Sequence, residues 1–414
     1  MTADEAERYL RSLELFGMRF GLDRMRRLMT ALRHPERRFD SIHVVGSNGK
    51  SSTTRMIAAI LQAHGLRTGA YLSPHLVSFG ERIRVDGVDL APAEFGAAVT
   101  RAARAAQLVD RSLRNDDAVT QFEALTAAAY AELARAGVEV AVVEAGLGGR
   151  YDATNVIPSR VQVLTSIGLE HTRWLGPTVA DIAAEKLDVV QPGATLVLAA
   201  GLPQDALAVA ERVCAQRDAR IVRAGADPAV AVGAPGAYQR RNFALARAAA
   251  DAYLPGALNP EALAAAAASV RVPGRLQQID ADPVTLLDGA HNPDGMRALA
   301  ESLPELAAGH DPVIAVVSIL DDKDAAGMLA ALRRVCDGLV VTSSRNPRAL
   351  PPPTLQSLVR QLGGPSAEVV ADPREAVGRA RELAGSAGLV IATGSLYLIA
   401  DLLSGDRRRR AGAL

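Results

Sequence analysis

Short apolar runs alternate with longer segments of helical spacing over almost the whole chain. In its first part, the apolar runs that predict strands lie at 42–45, 70–72, 138–144, 161–167 and 195–199. The segments that predict helices lie at 53–64, 122–136, 179–190, 239–254 and 260–270. Glycine follows the first two of these segments directly, as is usual just past the end of a helix. Strands that alternate with helices in this way form parallel sheets covered by helices on both faces, so the pattern predicts an α/β protein.

A break in this pattern at Val272-Pro273-Gly274-Arg275 predicts a domain boundary. Beyond the break, strands are predicted at 285–287, 313–317, 339–342, 368–370 and 389–392. Helices are predicted at 293–303, 325–335, 355–362, 374–383 and 396–403. We therefore predict two doubly wound domains, 1–274 and 275–414, since 414 residues are enough for two cores. No G-x-G-x-x-G follows the first strand of the second domain, so nothing indicates a dinucleotide site of its own.

The charge balance of the chain argues against a general attraction to nucleic acid or to an anionic membrane, because 46 Lys and Arg match 46 Asp and Glu. No apolar run approaches the length of a membrane span, and the acidic start 1–7 lacks the features of a signal peptide. We predict a cytoplasmic protein whose partners are small molecules, and we expect a monomer. Cys214 and Cys336 lie in helix-like apolar patterns, which predicts reduced packing residues rather than a disulfide, a metal site or a nucleophile.

The segment 41–54 has the order of a buried strand, a glycine loop and the start of a helix, which is typical of a site for nucleotide phosphates. In such a loop the glycines turn backbone N–H groups toward the phosphates, and Lys50 would neutralise the outer phosphate oxygens. The spacing is unusual, because Val44 stands at the usual glycine position and Gly46 lies closer to the lysine. A turn that merely opens a helix is the alternative. The flanking strand and helix favour an ATP site.

Polar residues directly after each strand are candidates for a site, because ligands of open parallel sheets bind at the carboxyl ends of the strands. Glu144 ends a buried strand, and a poorly solvated carboxylate there favours Mg²⁺, with a salt bridge to Arg150 as the alternative. His171 follows the next strand and is either part of the same site or a hydrogen-bonded structural histidine. Ser73 is either a neutral oxygen ligand of a metal or a turn or capping residue ahead of Pro74. The common position of these residues after strands favours a shared site.

A helical lysine and an aspartate of the second predicted domain complete the set. Lys186 lies on the predicted helix 179–190, where a lysine is usually solvated and the pattern gives no separate reason for a function. Asp288 follows a strand and either caps the next helix or reaches across a cleft to a sugar hydroxyl. The second interpretation divides the site between two domains and would explain why the chain needs both.

Taken in order, several segments resemble the folylpolyglutamate synthase and dihydrofolate synthase family, which is part of the ATP-dependent Mur-type ligases. They are 46–52, 72–76 with 81–84, 120–123, 144–155, 167–172, 185–186, 288–293 and 394–397. Each is weak alone, but the ordered set is specific and covers nearly the whole chain. The resemblance implies an N-terminal Mur-ligase-like P-loop ATPase domain with a mostly parallel sheet, which binds ATP and pterin, over 1–274. It implies a smaller C-terminal Rossmann-like glutamate-ligase domain over 275–414.

Position by position, the resemblance also implies roles for individual residues. ATP contacts are implied for Asn48, Gly49, Lys50, Ser51, Ser52, Asn242, Arg275 and Asp288. Ligands of two Mg²⁺ ions are implied at Ser73, Glu144, His171 and Lys186. Catalytic roles are implied for Lys50, His171 and Lys186. In this family the lysine at the position of Lys186 is carbamylated by CO₂, which turns an ammonium into a carboxylate-like metal ligand.

The resemblance further implies a pocket for the pterin end of the substrate. Its residues are Thr120, Gln121, Phe122, Glu123, Asp152, Ala153 and Thr154, together with Phe20, Gly21 and Leu22. Phe122 is expected to pack on the pterin ring. The chain departs from the family pattern at Ser47, Ser51 and Glu170, where the family generally has threonine, glycine and aspartate. The two serines are small, so the loop should still close on phosphate, whereas the extra methylene of Glu170 is expected to alter the geometry beside His171.

The chemistry implied by the family is ATP-dependent amide ligation. The carboxylate of an acceptor, dihydropteroate or a reduced folate, attacks the γ-phosphate of ATP, and the amine of L-glutamate then displaces phosphate from the acyl phosphate. Two alternatives remain open. One is a Mur-type ligase for a different carboxylic acid, against which the segment 120–123 speaks. The other is a nucleotide-binding switch without ligase activity, which would leave the segment 288–293 without a function.

Overall fold

The computed structural model describes residues 1–13, 21–113 and 117–404, and these residues form two separate sheets flanked by helices. The first sheet belongs to the part of the chain up to Ser269, here called the first lobe, and the second sheet to the part from Gln277, the second lobe. The chain thus passes from one sheet to the other across the predicted boundary. None of the helices in the described ranges is long and apolar enough to cross a bilayer.

The first lobe holds strands β1 to β8 and helices α1 to α10. The strands are β1 Asp40–Val45, β2 Thr68–Tyr71, β3 Ile83–Val85, β4 Val88–Asp89, β5 Val140–Glu144, β6 Val161–Leu164, β7 Thr195–Leu198 and β8 Arg220–Arg223. The helices are α1 Ala3–Ser12, α2 Asp23–Ala31, α3 Lys50–Ala63, α4 Pro92–Asp110, α5 Gln121–Arg135, α6 Thr172–Leu175, α7 Val179–Leu187, α8 Gln204–Arg217, α9 Ala237–Tyr253 and α10 Pro260–Ser269. Two short 3-10 turns lie at Pro35–Arg37 and Phe79–Arg82.

The first sheet has the strand order β4-β3-β2-β5-β1-β6-β7-β8, so β1 is central, with β5 and β6 as its parallel neighbours. Apart from Asp40 at the start of β1, all residues of β1, β5 and β6 are buried, which explains why these strands are mostly apolar. The parallel register carries the ends of all three strands to the same edge of the sheet. The loops that follow Val45, Glu144 and Leu164 are therefore neighbours in space although they are far apart in sequence.

The second lobe holds a six-stranded sheet of order β13-β12-β11-β14-β10-β9. Its strands are β9 Gln277–Ala281, β10 Val284–Leu287, β11 Val313–Val317, β12 Gly338–Val341, β13 Ser366–Val369 and β14 Leu389–Thr393. Its helices are α11 Pro293–Leu306, α12 Ala325–Leu332, α13 Pro352–Gln361, α14 Pro373–Ala384 and α15 Leu396–Leu403. All strands except the edge strand β9 run parallel, and the α/β class with mostly parallel sheets is confirmed.

Charged side chains join α9 of the first lobe to α11 of the second. Arg240 forms two hydrogen bonds with the carboxylate of Glu305, at 3.0 and 2.8 Å. Arg241 does the same with Glu301, at 2.7 and 2.8 Å. Bidentate pairs of this kind fix orientation as well as distance, so they hold the two helices in one relative position.

Several element boundaries differ from the sequence prediction. Helix α3 begins at Lys50 rather than at 53, because Gly49 takes the left-handed conformation (φ 84°) that starts the helix directly after the loop. Strands β3, β4 and β9 are antiparallel to their neighbours, and the sequence pattern did not reveal them because β3 and β4 are short and β9 is largely exposed. The predicted helical position of Cys336 is wrong, since α12 ends at Leu332. Both cysteines are buried and unpaired.

Candidate active site

A cavity of about 520 Å³ lies between the carboxyl edge of the first sheet and the second lobe. Loops that follow β1, β2, β5, β6 and β7 form one wall, and α9, α11 and the loop after β10 form the other. The structure brings most of the predicted ATP and metal residues to this cavity. Its lining includes Asn48, Gly49, Lys50, Ser51, Ser52, Ser73, Glu144, His171, Asn242, Arg275 and Asp288.

The loop between β1 and α3 has the construction of a phosphate-binding turn. An added Cβ at Gly46 would overlap Thr165 Oγ1, and Gly49 takes the left-handed conformation (φ 84°), so both positions need glycine. Lys50 donates hydrogen bonds to the carbonyls of Gly46 and Ser47, at 3.0 and 3.1 Å. The first turn of α3 opens onto the cavity, where its free N–H groups and the helix dipole favour an anion.

Glu144 lies at the tip of β5 and is 1% exposed. Its two carboxylate oxygens accept hydrogen bonds from Ser51 Oγ at 2.9 Å and from the backbone N–H of Ser73 at 3.1 Å. Burial raises the pKa of Glu144 to about 7, although the charge of Lys50 opposes this shift. The alternative of a salt bridge with Arg150 is wrong, because Arg150 Nε approaches the carboxylates of Glu185 and Asp188 instead, at 3.8 and 3.5 Å. Of the residues that the structure describes, none therefore gives Glu144 a cationic hydrogen-bond partner at the cavity.

Ser73 and His171 flank this carboxylate on the loops after β2 and β6. The hydroxyl of Ser73 is buried and has no hydrogen-bond partner in the described part of the chain, so it does not cap a turn or helix. His171 precedes α6 in a left-handed conformation (φ 54°), and its Nε2 lies 3.8 Å from the nearest oxygen of Glu170. Burial lowers the pKa of His171 to about 4, although the charge of Glu170 opposes this shift. The imidazole is neutral at pH 7 and has a lone pair available for a ligand.

Lys186 is 4% exposed, contrary to the ordinary expectation for a lysine on a helix. Its ammonium donates a hydrogen bond to the Gly46 carbonyl at 3.0 Å, the same oxygen that Lys50 contacts. Burial and the nearby charge of Lys50 lower the pKa of Lys186 to about 7. Two ammonium groups on one carbonyl repel each other, so this arrangement favours an anion between them or a neutral amine.

The donor set suits a hard cation only in part. Among the described residues, no group of three or more His, Cys, Asp and Glu side chains is placed to hold a metal. The predicted set contains one carboxylate, one imidazole, one hydroxyl and one amine. The unpartnered hydroxyl of Ser73 beside Glu144 supplies oxygen donors of the kind that Mg²⁺ prefers. Carbamylation of Lys186 would add a second carboxylate-like group to this set.

The predicted ATP contacts of the second wall also reach the cavity. Asp288 accepts hydrogen bonds from the hydroxyl of Tyr238 at 2.6 Å and from the backbone N–H groups of Leu276 and Ala290, at 3.0 and 2.9 Å. It does not cap α11, whose N-cap is Asn292, so that interpretation is wrong. The Asp288 carboxylate instead joins α9 of the first lobe to the start of the second lobe.

The segment 120–123, predicted to hold pterin, is tied into the first lobe. Thr120 caps α5 by accepting a hydrogen bond from the N–H of Glu123, whose carboxylate pairs with buried Arg24 at 3.0 Å. Gln121 donates a hydrogen bond to the carbonyl of Leu10 at 2.8 Å. Phe122 lies against Gly146, where an added Cβ would meet the ring at 2.6 Å. Phe122 thus packs against the loop that follows Glu144.

The segment 152–154 is buried beneath the same loop. Asp152 accepts hydrogen bonds from the N–H groups of Leu147 and Thr154, at 2.7 and 3.0 Å, and Ala153 is also buried. The Thr154 hydroxyl meets His43 Nε2 at 2.8 Å and is fully buried. As far as the structure describes the chain, neither this segment nor 120–123 lines the cavity. Phe20 lies outside the described residues, and Gly21 with Leu22 precedes α2, so the pterin pocket stays a prediction.

The sequence prediction missed an interaction centre between the lobes. Glu170 accepts hydrogen bonds from Lys323 Nζ and Asn292 Nδ2, both at 3.0 Å, and lies 3.6 Å from His291 Nε2. Burial opposes ionisation of Glu170, but the charges of His291 and Lys323 outweigh it and lower the pKa to about 2. Asn292 also bonds Asn48 of the phosphate loop, at 3.0 and 3.2 Å. Glu170, which stands where the family generally has aspartate, therefore forms a contact between the two lobes.

The small number of lysines in the sequence is a signal that would have identified Lys323 as a candidate site residue. The chain has only three lysines, Lys50, Lys186 and Lys323, among 46 Lys and Arg residues. The first two donate to the same carbonyl oxygen, and the third binds the residue next to His171. Because almost all other basic residues of this chain are arginines, a lysine indicates a position that needs a compact ammonium group.

Glu170→Gln is expected to lower the melting temperature most near neutral pH. The ordinary pKa of a glutamate is 4.5 and that of folded Glu170 is about 2, so the stabilisation, roughly 3 kcal/mol, is complete above pH 4.5 and disappears as pH falls through 2. The difference in melting temperature from wild type should narrow between pH 6 and pH 3. The exposed Glu211→Gln serves as the control, and a difference independent of pH would contradict the ionic role.

Comparisons with known proteins agree with this geometry. A family profile described as the Mur ligase glutamate ligase domain matches residues 274–396. The dihydrofolate synthase/folylpolyglutamate synthase of Mycobacterium tuberculosis is 37% identical over 384 residues, which are 83% of this chain and 78% of that protein. The chain belongs to the dihydrofolate synthase/folylpolyglutamate synthase family. Another family member, from Bacillus subtilis, is 32% identical over 419 residues, covering 94% of this chain and 95% of its own.

Solved structures of the family share the whole fold. The folylpolyglutamate synthase of Mycobacterium tuberculosis complexed with ADP superimposes with a TM-score of 0.89 at 32% identity, covering 97% of both chains. Escherichia coli FolC in complex with DHPP and ADP gives 0.86 at 28% identity, again over 97% of both chains. The Yersinia pestis bifunctional enzyme, complexed with AMPPNP and Mn ion, gives 0.82 at 30% identity over 97% of both chains. The resemblance and the fold class predicted from the sequence are confirmed.

Proposed function

We propose that the protein is an ATP-dependent amide ligase that adds L-glutamate to dihydropteroate, to tetrahydrofolate or to both. The observation that carries the proposal is the meeting of Lys50, Glu144 and His171 around one cavity that Asp288 of the second lobe also lines. Lys186 does not line this cavity, but it bonds the same Gly46 carbonyl as Lys50. Membership of the dihydrofolate synthase/folylpolyglutamate synthase family supports the same reaction. Relatives complexed with ADP, and with AMPPNP and Mn ion, support ATP and a divalent cation as the nucleotide and metal.

The phosphate loop would hold the triphosphate of ATP. The N–H groups of Gly49 to Ser52 at the start of α3 bind phosphate oxygens, while Lys50 leaves its contacts with Gly46 and Ser47 and moves to the outer phosphate. The acceptor's carboxylate then attacks the γ-phosphate and forms an acyl phosphate. Lys50 spreads the charge of the transferred group, and positioning with electrostatic stabilisation supplies most of the acceleration.

Ser73, Glu144, His171 and Lys186 would hold two Mg²⁺ ions. Bound Mg²⁺ supplies charge neutralisation at the phosphates during transfer. For Lys186 to take part, its neutral amine would add to the carbon of CO₂, forming an N–C bond as one C–O π bond breaks. The electron pair of that π bond would go to oxygen, and the amine proton would pass to solvent. The burial of Lys186, its pKa of about 7 and the absence of a described carboxylate on its nitrogen support this modification.

The second lobe would complete the nucleotide and glutamate sites. Asn242, beside Gly49, is placed for the nucleotide, and Arg275 and Asp288 line the opposite wall. L-glutamate enters between the lobes, and its amine displaces phosphate from the acyl phosphate. Closure along the Glu170–Lys323 contact excludes water, which would otherwise hydrolyse that intermediate. The segments 120–123 and 152–154 are proposed to place the pterin through the Phe122 ring. The cytoplasmic location, the monomeric state and the absence of nucleic-acid or membrane partners stay predictions.

Acceptor-dependent release of ADP tests the reaction. Purified protein with ATP, Mg²⁺ and L-glutamate should release ADP only when dihydropteroate or tetrahydrofolate is added, and mass spectrometry should find one more glutamate in the product. Activity with other carboxylic acids alone would identify a different Mur-type ligase. ATP hydrolysis that is indifferent to glutamate and acceptor would identify a nucleotide switch.

Glu144→Gln is expected to raise the Mg²⁺ concentration needed for half-maximal ligation by about tenfold or more, because an amide lacks the charge that binds the cation. A magnesium titration at saturating ATP measures this shift. The matched control is Glu139→Gln, an exposed residue just before the other end of β5. An unchanged titration for Glu144→Gln would remove this residue from the metal site.

A further inference from the structure

Two helices that belong to different lobes each turn one face toward the cavity. The cavity is lined by Arg241, Asn242 and Leu245 from α9, and by Asp294, Arg297 and Glu301 from α11. Steps of three or four residues place side chains on one side of a helix. Where the two faces meet, the guanidinium of Arg241 donates two hydrogen bonds to the carboxylate of Glu301, at 2.7 and 2.8 Å. This ion pair therefore joins two walls of the cavity directly.

The Arg241–Glu301 pair lies at the mouth of the cavity. Both side chains line the cavity, yet 39% of Arg241 and 55% of Glu301 stay exposed to solvent. The hydrogen bonds from Arg241 lower the pKa of Glu301, so its carboxylate is ionised at pH 7. The bidentate geometry fixes both side chains and holds the mouth in one arrangement. Because both partners also face water, their separation costs little free energy, and the pair is able to break and re-form.

The surroundings of the pair indicate which part of a ligand lies next to it. One turn along α9 from Arg241, Leu245 lines the same cavity, and so does the largely apolar segment 199–203 that follows β7. An apolar surface of this kind suits the flat base of a nucleotide. Asn242, the neighbour of Arg241, approaches Gly49 of the phosphate loop. A nucleotide whose phosphates lie on that loop would therefore direct its base toward the mouth of the cavity.

We propose that Arg241 and Glu301 form a gate at the nucleoside end of the cavity, which opens for ADP to leave and for ATP to enter. The proposal rests on the proposed ligase function and deepens it, since it concerns nucleotide exchange at the same site. A closed gate slows entry and exit alike, whereas a residue that binds the nucleotide mainly slows its exit. The two rate constants therefore distinguish a gate from a binding contact.

Two neighbouring ion pairs provide matched controls. Arg240 and Glu305 also join α9 to α11 by two hydrogen bonds, at 3.0 and 2.8 Å, and are 41% and 59% exposed, but neither belongs to the described lining of the cavity. They control for attachment of the lobes. Arg297 lines the cavity, but its described ion pair, with Asp294, lies within α11. It controls for the loss of a positive charge at the cavity.

Exchange of mant-ADP, which carries a fluorescent N-methylanthraniloyl group on its ribose, tests the gate by stopped flow with Mg²⁺. Mixing with protein gives the association rate constant, and a chase with excess ADP gives the dissociation rate constant. In Arg241→Met and in Glu301→Gln, both rate constants should rise about twofold to fivefold, the range for a partly exposed ion pair, with Kd within about twofold of wild type. Arg240→Met and Arg297→Met should not accelerate both steps.

Exchanging the two charges provides a rescue. The double variant Arg241→Glu with Glu301→Arg should return both rate constants to within about twofold of wild type, because opposite charges face each other again. Raising NaCl from about 0.05 to 0.5 M should narrow the difference between wild type and Glu301→Gln, since salt screens an exposed ion pair.

The outcomes separate the gate from the ligase function. A faster dissociation alone, with a correspondingly weaker Kd, would make Arg241 a nucleotide contact and overturn the gate. Equal acceleration in Arg240→Met, or no acceleration in either gate variant, would overturn it as well. A wild type that does not bind mant-ADP contradicts the nucleotide site and the gate together. If exchange behaves as expected but ADP release needs no acceptor, the ligase function fails and the gate stands.

Discussion

Lys186→Ala is expected to lower kcat for ligation by about 10²- to 10³-fold, the range for loss of one preorganised electrostatic group, while the protein remains folded. The protein should remain folded because, within the described part of the chain, the Lys186 side chain makes one hydrogen bond, to the Gly46 carbonyl, and carries a charge that burial disfavours. Removing an imperfectly paired buried charge is often neutral for stability. Steady-state ADP release and a melting curve measure the two effects.

The Lys186→Arg variant distinguishes two roles of the lysine, as a carbamate that binds metal or as a simple positive charge. Arginine keeps the charge but its guanidinium does not add to CO₂, so the carbamate role predicts that this variant is as inactive as Lys186→Ala. Wild type supplied with ¹³C-labelled CO₂ should show a carbamate carbon in its NMR spectrum that Lys186→Arg lacks. Near-normal turnover of the arginine variant would reject the carbamate.

Lys50→Met is expected to lower kcat/KM for ATP by about 10²- to 10³-fold, because the ammonium at the start of α3 has no substitute on the phosphate loop. Among the described residues, the Lys50 ammonium donates hydrogen bonds only to backbone carbonyls of that loop, so the melting temperature without ATP should change little. The rise in melting temperature that ATP with Mg²⁺ produces in wild type should become smaller, since the stabilisation follows nucleotide affinity.

Arg55→Met, a partly exposed position on the same helix, provides the matched control for Lys50→Met. Removal of a positive charge from α3 that lies away from the phosphate loop should leave the ATP dependence unchanged. If Lys50→Met kept both its ATP dependence and its turnover, the loop would not be the phosphate site, and the ligase mechanism would need another nucleotide site.

Much of the site was predictable because a parallel sheet gives position in sequence a fixed meaning in space. Apolar runs identified β1, β5 and β6, and the residues just after such strands must lie at one edge of a sheet. Glu144 and His171 were found in this way from the residues themselves. Lys186 was not found from the residues themselves, because the periodicity of a helix does not reveal that this lysine is buried. Only the family resemblance indicated a role for it.

The sequence by itself determined the α/β class, the phosphate loop and which polar residues directly follow the strands. These features depend on local periodicity and on short motifs. The tertiary structure alone decided that Glu170 contacts Lys323 and that Asp288 bonds Tyr238 rather than capping α11. These contacts join residues distant in the chain, and their energies depend on burial and on which partner each polar atom finds. Neither quantity is encoded in the spacing of hydrophobic positions.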